Sequence, residues 1–417
     1  MMAVVYNNTI KCLDTYKWGV VLQQASYRKL LASAGFAWLF DAMDVGMLSF
    51  VITAVTKEWQ LSSSQAGLIG SISSLGMAVG AILLGSLADR YSRQSILILS
   101  LLMFSIFNGI SAFVSSYLAF LVLRFLIGCG LGGELPVAST LVSENAPKAV
   151  RGRTVVLLES FWAGGWLIAA LISYLLIPKY GWRVALILTS FTALYALFLR
   201  SSLKRHAPHS PKAVAKHLSF AERLSLLFNN EHRQATLMLW VVWFMVVFSY
   251  YGMFLWLPSV LVLRGYTIVQ SFGYVLLMTL AQLPGYFVAA WLIEKWGRKS
   301  TLVLFLLGTA VAAIAFGWAN SLVILLGSGI ALSFFNLGAW GALYAYSPEQ
   351  YPALVRGTGT GMASGIGRIG GILGPILVGY LLQVKVPITL IFMIFFVAII
   401  IAAGAVYWFG VETKEVN

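Results

Sequence analysis

The chain has 417 residues, 60% of them hydrophobic and only 10% charged, with a formal net charge of +14. Soluble domains run nearer half apolar and a quarter charged, so this balance excludes a string of soluble domains. It also turns the positive charge into a membrane topology signal rather than a nucleic-acid surface.

Apolar segments of about 20 residues cross a bilayer, and in lipid they satisfy their backbone polar groups only as helices when too long for barrel strands. The fold class expected is therefore an all-α membrane protein with twelve transmembrane helices. Residues 1–30 are polar and basic, lack the apolar core of a cleavable signal sequence, and read as a cytoplasmic N-terminal tail. Spans are predicted at 31–53, 66–88, 95–114, 118–141, 155–177 and 184–200, which make an N-terminal six-helix bundle over 31–200. A polar segment, 201–235, with Pro208 and Pro211, reads as a cytoplasmic linker whose basic run lies on the anionic leaflet. Spans at 236–260, 269–293, 300–319, 321–345, 357–383 and 387–410 make a C-terminal bundle over 236–410, followed by a tail at 411–417.

The halves are copies. Glu144, Pro147, Arg151 and Gly152 recur as Glu349, Pro352, Arg356 and Gly357, 205 positions on. Asp89, Arg90 and Arg93 recur as Glu294, Lys295 and Arg298 at the same offset. Six spans per unit is an even number, so the two pseudo-repeats face the same way. Of the Lys and Arg residues, 21 fall in one set of loops and 5 in the other, which predicts both termini cytoplasmic. The two cysteines, Cys12 and Cys129, form no pattern of a disulfide framework or a metal site. No metal or cofactor is expected.

Setting aside Arg200 at the edge of the linker, six charged residues fall inside the spans: Asp41, Asp44, Arg124, Glu134, Glu159 and Arg368. Each is costly in lipid, by about 2.5–3.5 kcal/mol on insertion scales for the worst types, so each is expected to face the bundle interior and to have a function. Asp41 and Asp44, at i and i+3, share a helix face. A proton held there suits a proton-coupled carrier; neutralisation by a structural partner is the alternative. Arg124 in span 4 lies within about 5 Å of the depth of Asp44, so an Asp44–Arg124 pair is predicted. Such a pair either breaks on protonation or acts as a fixed brace. Glu134 and Glu159 line the inward half of a pathway or brace it.

Arg368 sits roughly 16 Å along span 11, near the middle of a core about 30 Å thick. Its planar fork suits a substrate carboxylate; a salt bridge to a membrane acid is the alternative. Trp38, Trp162, Trp166, Trp256, Trp340 and Tyr250, with Trp243, Phe161, Tyr251 and Phe335, fall within spans 1, 5, 7 and 10. Their set can enclose a flat ring, although packing explains any one of them. Asn336 supplies a hydrogen bond to such a ligand. At the cytoplasmic face, Asp89, Arg90, Arg93, Glu144, Arg151, Glu294, Arg298, Glu349 and Arg356 are expected to form gating latches.

These motifs carry a resemblance. Gly85 through Asp89-Arg90-Tyr91-Ser92-Arg93 resembles the signature loop of the major facilitator superfamily, with Ser92 where glycine is usual. Arg124 through Gly132-Gly133-Glu134 and Pro136, Gly181-Trp182-Arg183, the repeated Glu/Pro/Arg-Gly motif and Glu412-Thr413-Lys414 look like its sugar-porter-like branch. Within that branch Asp41-Ala-Met-Asp44, Gly133-Glu134-Leu-Pro136 and Gly367-Arg368-Ile-Gly370-Gly371 are similar to the bacterial niacin permeases. Those are related to organic-ion carriers and to the synaptic vesicle glycoprotein 2 group.

The resemblance implies a plasma (inner) membrane carrier, monomeric and without nucleic-acid partners. It would import a small aromatic carboxylate, nicotinate first, by alternating access, with a proton handled at Asp44 and Arg124. Ala42 departs from the Asp-Gly-x-Asp of aromatic-acid symporters. A benzoate-type symporter is a second reading. An organic-cation or drug exporter is disfavoured by Arg368, and a non-transporting receptor by the lack of a large soluble domain. No nucleotide loop or nucleophile constellation points to an enzyme.

Overall fold

A computed structural model of the chain describes residues 31–91, 93–145, 151–195, 198, 220–352 and 354–414, and every element among them is helical. The side chains of Asp89, Arg90, Arg93, Glu134, Glu144 and Arg151 fall outside the described residues, as do the tail 1–30 and the linker over 201–219. The helices of the first half are α1 (Leu31–Glu58), α2 (Ser63–Arg90), α3 (Arg93–Ser111), α4 (Tyr117–Asn145), α5 (Arg151–Tyr180) and α6 (Trp182–Ser190). A short α7 (Phe220–Leu227) precedes the second half. That half comprises α8 (Arg233–Phe254), α9 (Leu257–Leu263), α10 (Ile268–Leu280), α11 (Gln282–Trp296), α12 (Arg298–Gly317), α13 (Leu322–Glu349), α14 (Arg356–Gln383) and α15 (Ile388–Phe409).

Among the described residues, nine helical stretches are long and apolar enough to cross a bilayer. Three shorter apolar helices, Ser95–Ser111, Tyr117–Gly132 and Trp182–Tyr195, occupy the places of the predicted spans 3, 4 and 6. Two predicted spans are broken rather than straight. The seventh ends at Phe254 and restarts at Leu257 with Pro258 in its first turn, where the missing N–H costs nothing. The eighth breaks at Ala281 into α10 and α11, and Pro284 lies in the first turn of α11.

The duplication is built into the helix starts as well as the motifs. Ser62 and Gln65 form a capping box on α2, and Thr267 and Gln270 form the same box on α10, again 205 residues apart. Gly297, with φ of +98°, joins α11 to α12 in a conformation that a side chain rarely adopts. Its counterpart, Ser92, lies outside the described residues.

Small residues set how closely the helices pack. A Cβ on Gly80 would lie 2.0 Å from the carbonyl oxygen of Cys129, and one on Gly128 would lie 2.2 Å from that of Ser73. The backbones of α2 and α4 are therefore in contact. Between halves, a Cβ on Gly67 would lie 2.5 Å from the carbonyl of Pro375. Ser71 donates to the Ile372 carbonyl at 2.7 Å, and the Thr53 and Ser259 hydroxyls are 2.7 Å apart. Together with the edge-on pair Phe50–Phe272, these contacts seal the halves around the starts of α2 and α10.

Candidate functional site

Arg368 shares a face of α14 with Gly371 and Pro375, and that face meets α2: a Cβ on Gly70 would touch Pro375. On the other side α14 lies against α8, where a Cβ on Gly370 would be 2.5 Å from the Phe244 carbonyl. Without side chains at these glycines, the backbones close up and the guanidinium falls between the halves. Its Nη1 lies 3.4 Å from the Tyr251 hydroxyl of α8 and 3.4 Å from the Met77 sulfur of α2. Among the described residues no ion pair joins it to a carboxylate, unlike Arg124 with Asp44, Arg183 with Glu58 and Arg298 with Glu349.

The expected pair of α1 and α4 is present: Arg124 Nη1 lies 3.7 Å from Asp44 Oδ2, and both residues are buried. At that length the contact is Coulombic rather than a hydrogen bond. Two groups on α3, which the sequence did not single out, hold the arginine. Its Nη2 donates to Asn108 Oδ1 at 3.0 Å and to Ser111 Oγ at 3.4 Å. The Phe120 ring lies under the guanidinium at 5.0 Å. Asn108 is a polar residue in an apolar span, which was its only trace in the sequence. Asp41 is also buried and lies in the electrostatic field of Tyr251, the same tyrosine that meets Arg368.

Five of the six aromatic residues predicted as ligand contacts form one cluster. Trp38 and Trp162 have ring centroids 4.9 Å apart, Tyr250 and Trp340 4.9 Å, and Trp166 and Tyr250 6.2 Å. Trp162 donates its indole N–H to the Tyr250 hydroxyl at 2.8 Å. Trp243 and Tyr344 extend the cluster from Trp340, and Tyr251 joins it to Arg368. Trp256 stands apart. It sits at the break before α9 and donates to the Pro375 carbonyl at 3.3 Å. Phe161 packs over Gly35 and Phe36, and Phe335 over Gly308 and Phe305, both away from the cluster.

Several polar groups in and beside this cluster are buried without a hydrogen-bond partner of ordinary geometry. They are the carboxyl of Glu159, the amide of Asn336, the Tyr286 hydroxyl and the indole N–H of Trp38, Trp166 and Trp340. The Trp38 and Trp340 indoles do point their N–H groups at Glu159, and Trp166 its own at the Tyr250 hydroxyl, as hydrogen bonds looser than that geometry. Native interiors hold few such groups, and each calls for a reason. Asn336 and Trp340 are one turn apart on α13; Glu159, Trp162 and Trp166 share one face of α5. The two described cavities lie elsewhere. One, of about 500 Å³, is lined by Arg264, Tyr266 and Trp318; the other, of about 720 Å³, by Arg233, Leu237 and Trp408. Neither is lined by Arg368 or the aromatic cluster.

The latch expected between halves takes a different form on the C-terminal side, because its pairs lie within one half. Glu349 pairs with Arg298 at 3.1 Å rather than with Arg356, which bonds the Tyr351 carbonyl. Glu294 is exposed and forms no ion pair among the described residues. In the sequence Glu412 stands out only as part of the tail motif, not as a latch residue. Its carboxylate accepts from the backbone N–H of Arg298 at 2.8 Å and of Lys299 at 3.1 Å, at the positive start of α12. Thr413 bonds Glu349, and Lys414 reaches the Lys295 carbonyl at 2.9 Å.

The sequence profile of the Major Facilitator Superfamily matches residues 34–281 and 274–417. A Bacillus subtilis protein named as a niacin/nicotinamide transporter is 59% identical over 94% of this chain and 98% of its own. The niacin transporter of Acinetobacter baylyi is 44% identical over 92% of this chain and 94% of its own. Synaptic vesicle 2-related protein of Xenopus laevis is 30% identical over 93% and 78%. Among solved structures, a bacterial homolog of the human lysosomal transporter Spinster superposes with a TM-score of 0.71 at 16% identity, over 92% of this chain and 98% of that one.

Proposed function

We propose, for a chain that belongs to the major facilitator superfamily, that it is a secondary carrier importing nicotinate across the inner membrane, together with a proton. The observation that carries this reading is Arg368: a guanidinium between the halves, held by Tyr251 and Met77, with no ion pair to a carboxylate among the described residues. A fixed cation with spare donors suits a planar carboxylate, and it repels an organic cation. The names of the Bacillus and Acinetobacter relatives support niacin as the acid.

In this account the chain crosses the bilayer twelve times with both termini in the cytoplasm, following the Lys and Arg asymmetry. The contacts Thr53–Ser259 and Ser71–Ile372 then lie on the outer side, and the conformation is closed to the outside. The halves rock about a midplane site to expose it alternately. Arg368 takes the carboxylate, the cluster of Trp38, Trp162, Trp166, Trp340 and Tyr250 takes the ring, and Asn336 offers a hydrogen bond. Protonation of Asp44 removes the Coulombic hold on Arg124 and frees α1 from α4; Asp41 and Arg368 both act electrostatically on Tyr251. Glu134 sits on the same α4 as Arg124, along the proton's path. Glu349, Arg298, Glu412 and their N-terminal counterparts Asp89, Arg90, Arg93, Glu144 and Arg151 act as cytoplasmic latches, with Glu294 and Arg356 beside them. The carrier works as a monomer.

The experiment is uptake of labelled nicotinate into proteoliposomes with and without an inward proton gradient. Accumulation that requires the gradient is the expected result. Saturable uptake indifferent to the gradient would leave a facilitator and remove the symport, and binding without uptake would make the protein a receptor.

A further inference from the structure

The buried polar groups of the aromatic cluster ask for a ligand, and Glu159 is the most demanding of them. Its residue is 0% exposed, it has no ion pair among the described residues, and its carboxyl oxygens have only the loose indole N–H contacts of Trp38 and Trp340, neither of ordinary hydrogen-bond geometry. A buried carboxyl left in that state is expensive unless something completes it. Around it stand flat rings rather than cations: Trp162 lies one turn further along α5, and the Trp38 and Trp340 indoles face it. Tyr251, Tyr250 and Trp340 run in contact from Arg368 to the indole beside Glu159, so both groups adjoin one aromatic cluster. The groups at those ends differ: a guanidinium at one, a carboxyl at the other, with aromatic faces between.

We infer that Glu159 reads the ring nitrogen of the substrate and so separates a pyridine carboxylate from its benzene counterpart. The inference rests on the carrier reading above and names the specificity of that site. A carboxyl and a pyridine nitrogen share a single proton in one hydrogen bond, whichever of the two carries it, so neither is left unpaired. Benzoate puts a C–H where that nitrogen would be. Glu159 then stays buried and incomplete, and a site built to hydrogen-bond a substrate group rejects the analogue lacking it strongly. Asn336, whose amide also lacks a partner and lies one turn before Trp340, adds a neutral donor and acceptor beside the ring. Glu159 was legible in the sequence only as a charge in a span.

Binding of nicotinate, nicotinamide and benzoate to the purified full-length protein, measured by calorimetry, tests this. The wild type should bind nicotinate on the order of tenfold or more tighter than benzoate. Glu159→Leu should bring nicotinate down to the level of benzoate, weaken nicotinamide in parallel, and leave benzoate within about threefold of its wild-type value. Glu159→Gln, which keeps a donor for the nitrogen, should retain a preference for nicotinate. Equal binding of nicotinate and benzoate by the wild type overturns the inference without any variant, and so does an equal loss of both acids in Glu159→Leu, the mark of a structural brace. Binding of neither acid by the wild type removes the carrier reading and this inference together; binding of both alike removes only the inference.

Discussion

Asp44 and Arg124 face each other across 3.7 Å inside the first half, and the arginine has a second hold on Asn108 that the aspartate lacks. The asymmetry matters. If the pair separates, Arg124 keeps partners on α3 and Asp44 has no other among the described residues, which makes Asp44 the member proposed to change its charge. Asp44→Asn should abolish gradient-driven accumulation and spare counterflow exchange; accumulation at the wild-type level would exclude Asp44 from coupling. Asp44→Leu or Arg124→Leu alone strands a buried charge, at about 3–5 kcal/mol. The double variant should melt at a higher temperature than the sum of the single losses allows, and strict additivity would argue against a direct pair.

The seal between halves is equally specific. Thr53 and Ser259 touch through their hydroxyls, on helices that part in the proposed cycle when the site opens on that side. Thr53→Cys combined with Ser259→Cys, oxidised in the membrane, should stop transport, and a reductant should restore it. Full activity of the cross-linked protein would mean that the halves do not separate there.

Two glycines make a matched test of helix packing. A Cβ at Gly80 would sit 2.0 Å from a backbone oxygen, whereas at Gly357 it would meet nothing within 4 Å. Gly80→Ala should destabilise by about 1–3 kcal/mol, as overpacking does. Gly357→Ala should be neutral or stabilising by up to about 1 kcal/mol, because it lies in the first turn of α14 and needs no special backbone. Thermal unfolding of both variants checks the contrast, and equal effects would contradict the close approach of α2 and α4.

Much of this architecture was legible because lipid makes its demands locally. A charge inside a span is conspicuous wherever it falls, and Asp44, Arg124 and Arg368 stand out on that ground alone. The offset of 205 was legible because duplicated motifs keep their spacing. What could not be read depends on contacts between distant segments. The breaks at Leu255–Trp256 and Ala281 leave the apolar run intact, so hydropathy passes over them. Trp256 and Trp340 look alike in the sequence, yet one bonds a carbonyl of α14 and the other stands in the aromatic cluster. Glu412, near the C-terminus, meets the start of α12 more than a hundred residues away, and Glu349 takes Arg298 over the nearer Arg356.

The central claim is that Arg368 receives the carboxylate of the substrate. Titration calorimetry of nicotinate and nicotinamide against the wild type and Arg368→Ala tests it most directly, because the two ligands share a ring and differ in charge. The variant should bind nicotinate roughly 10- to 100-fold more weakly, the worth of a charge-assisted hydrogen bond, and bind nicotinamide within about threefold of wild type. An equal loss for both ligands, or undiminished binding of nicotinate, would contradict the account.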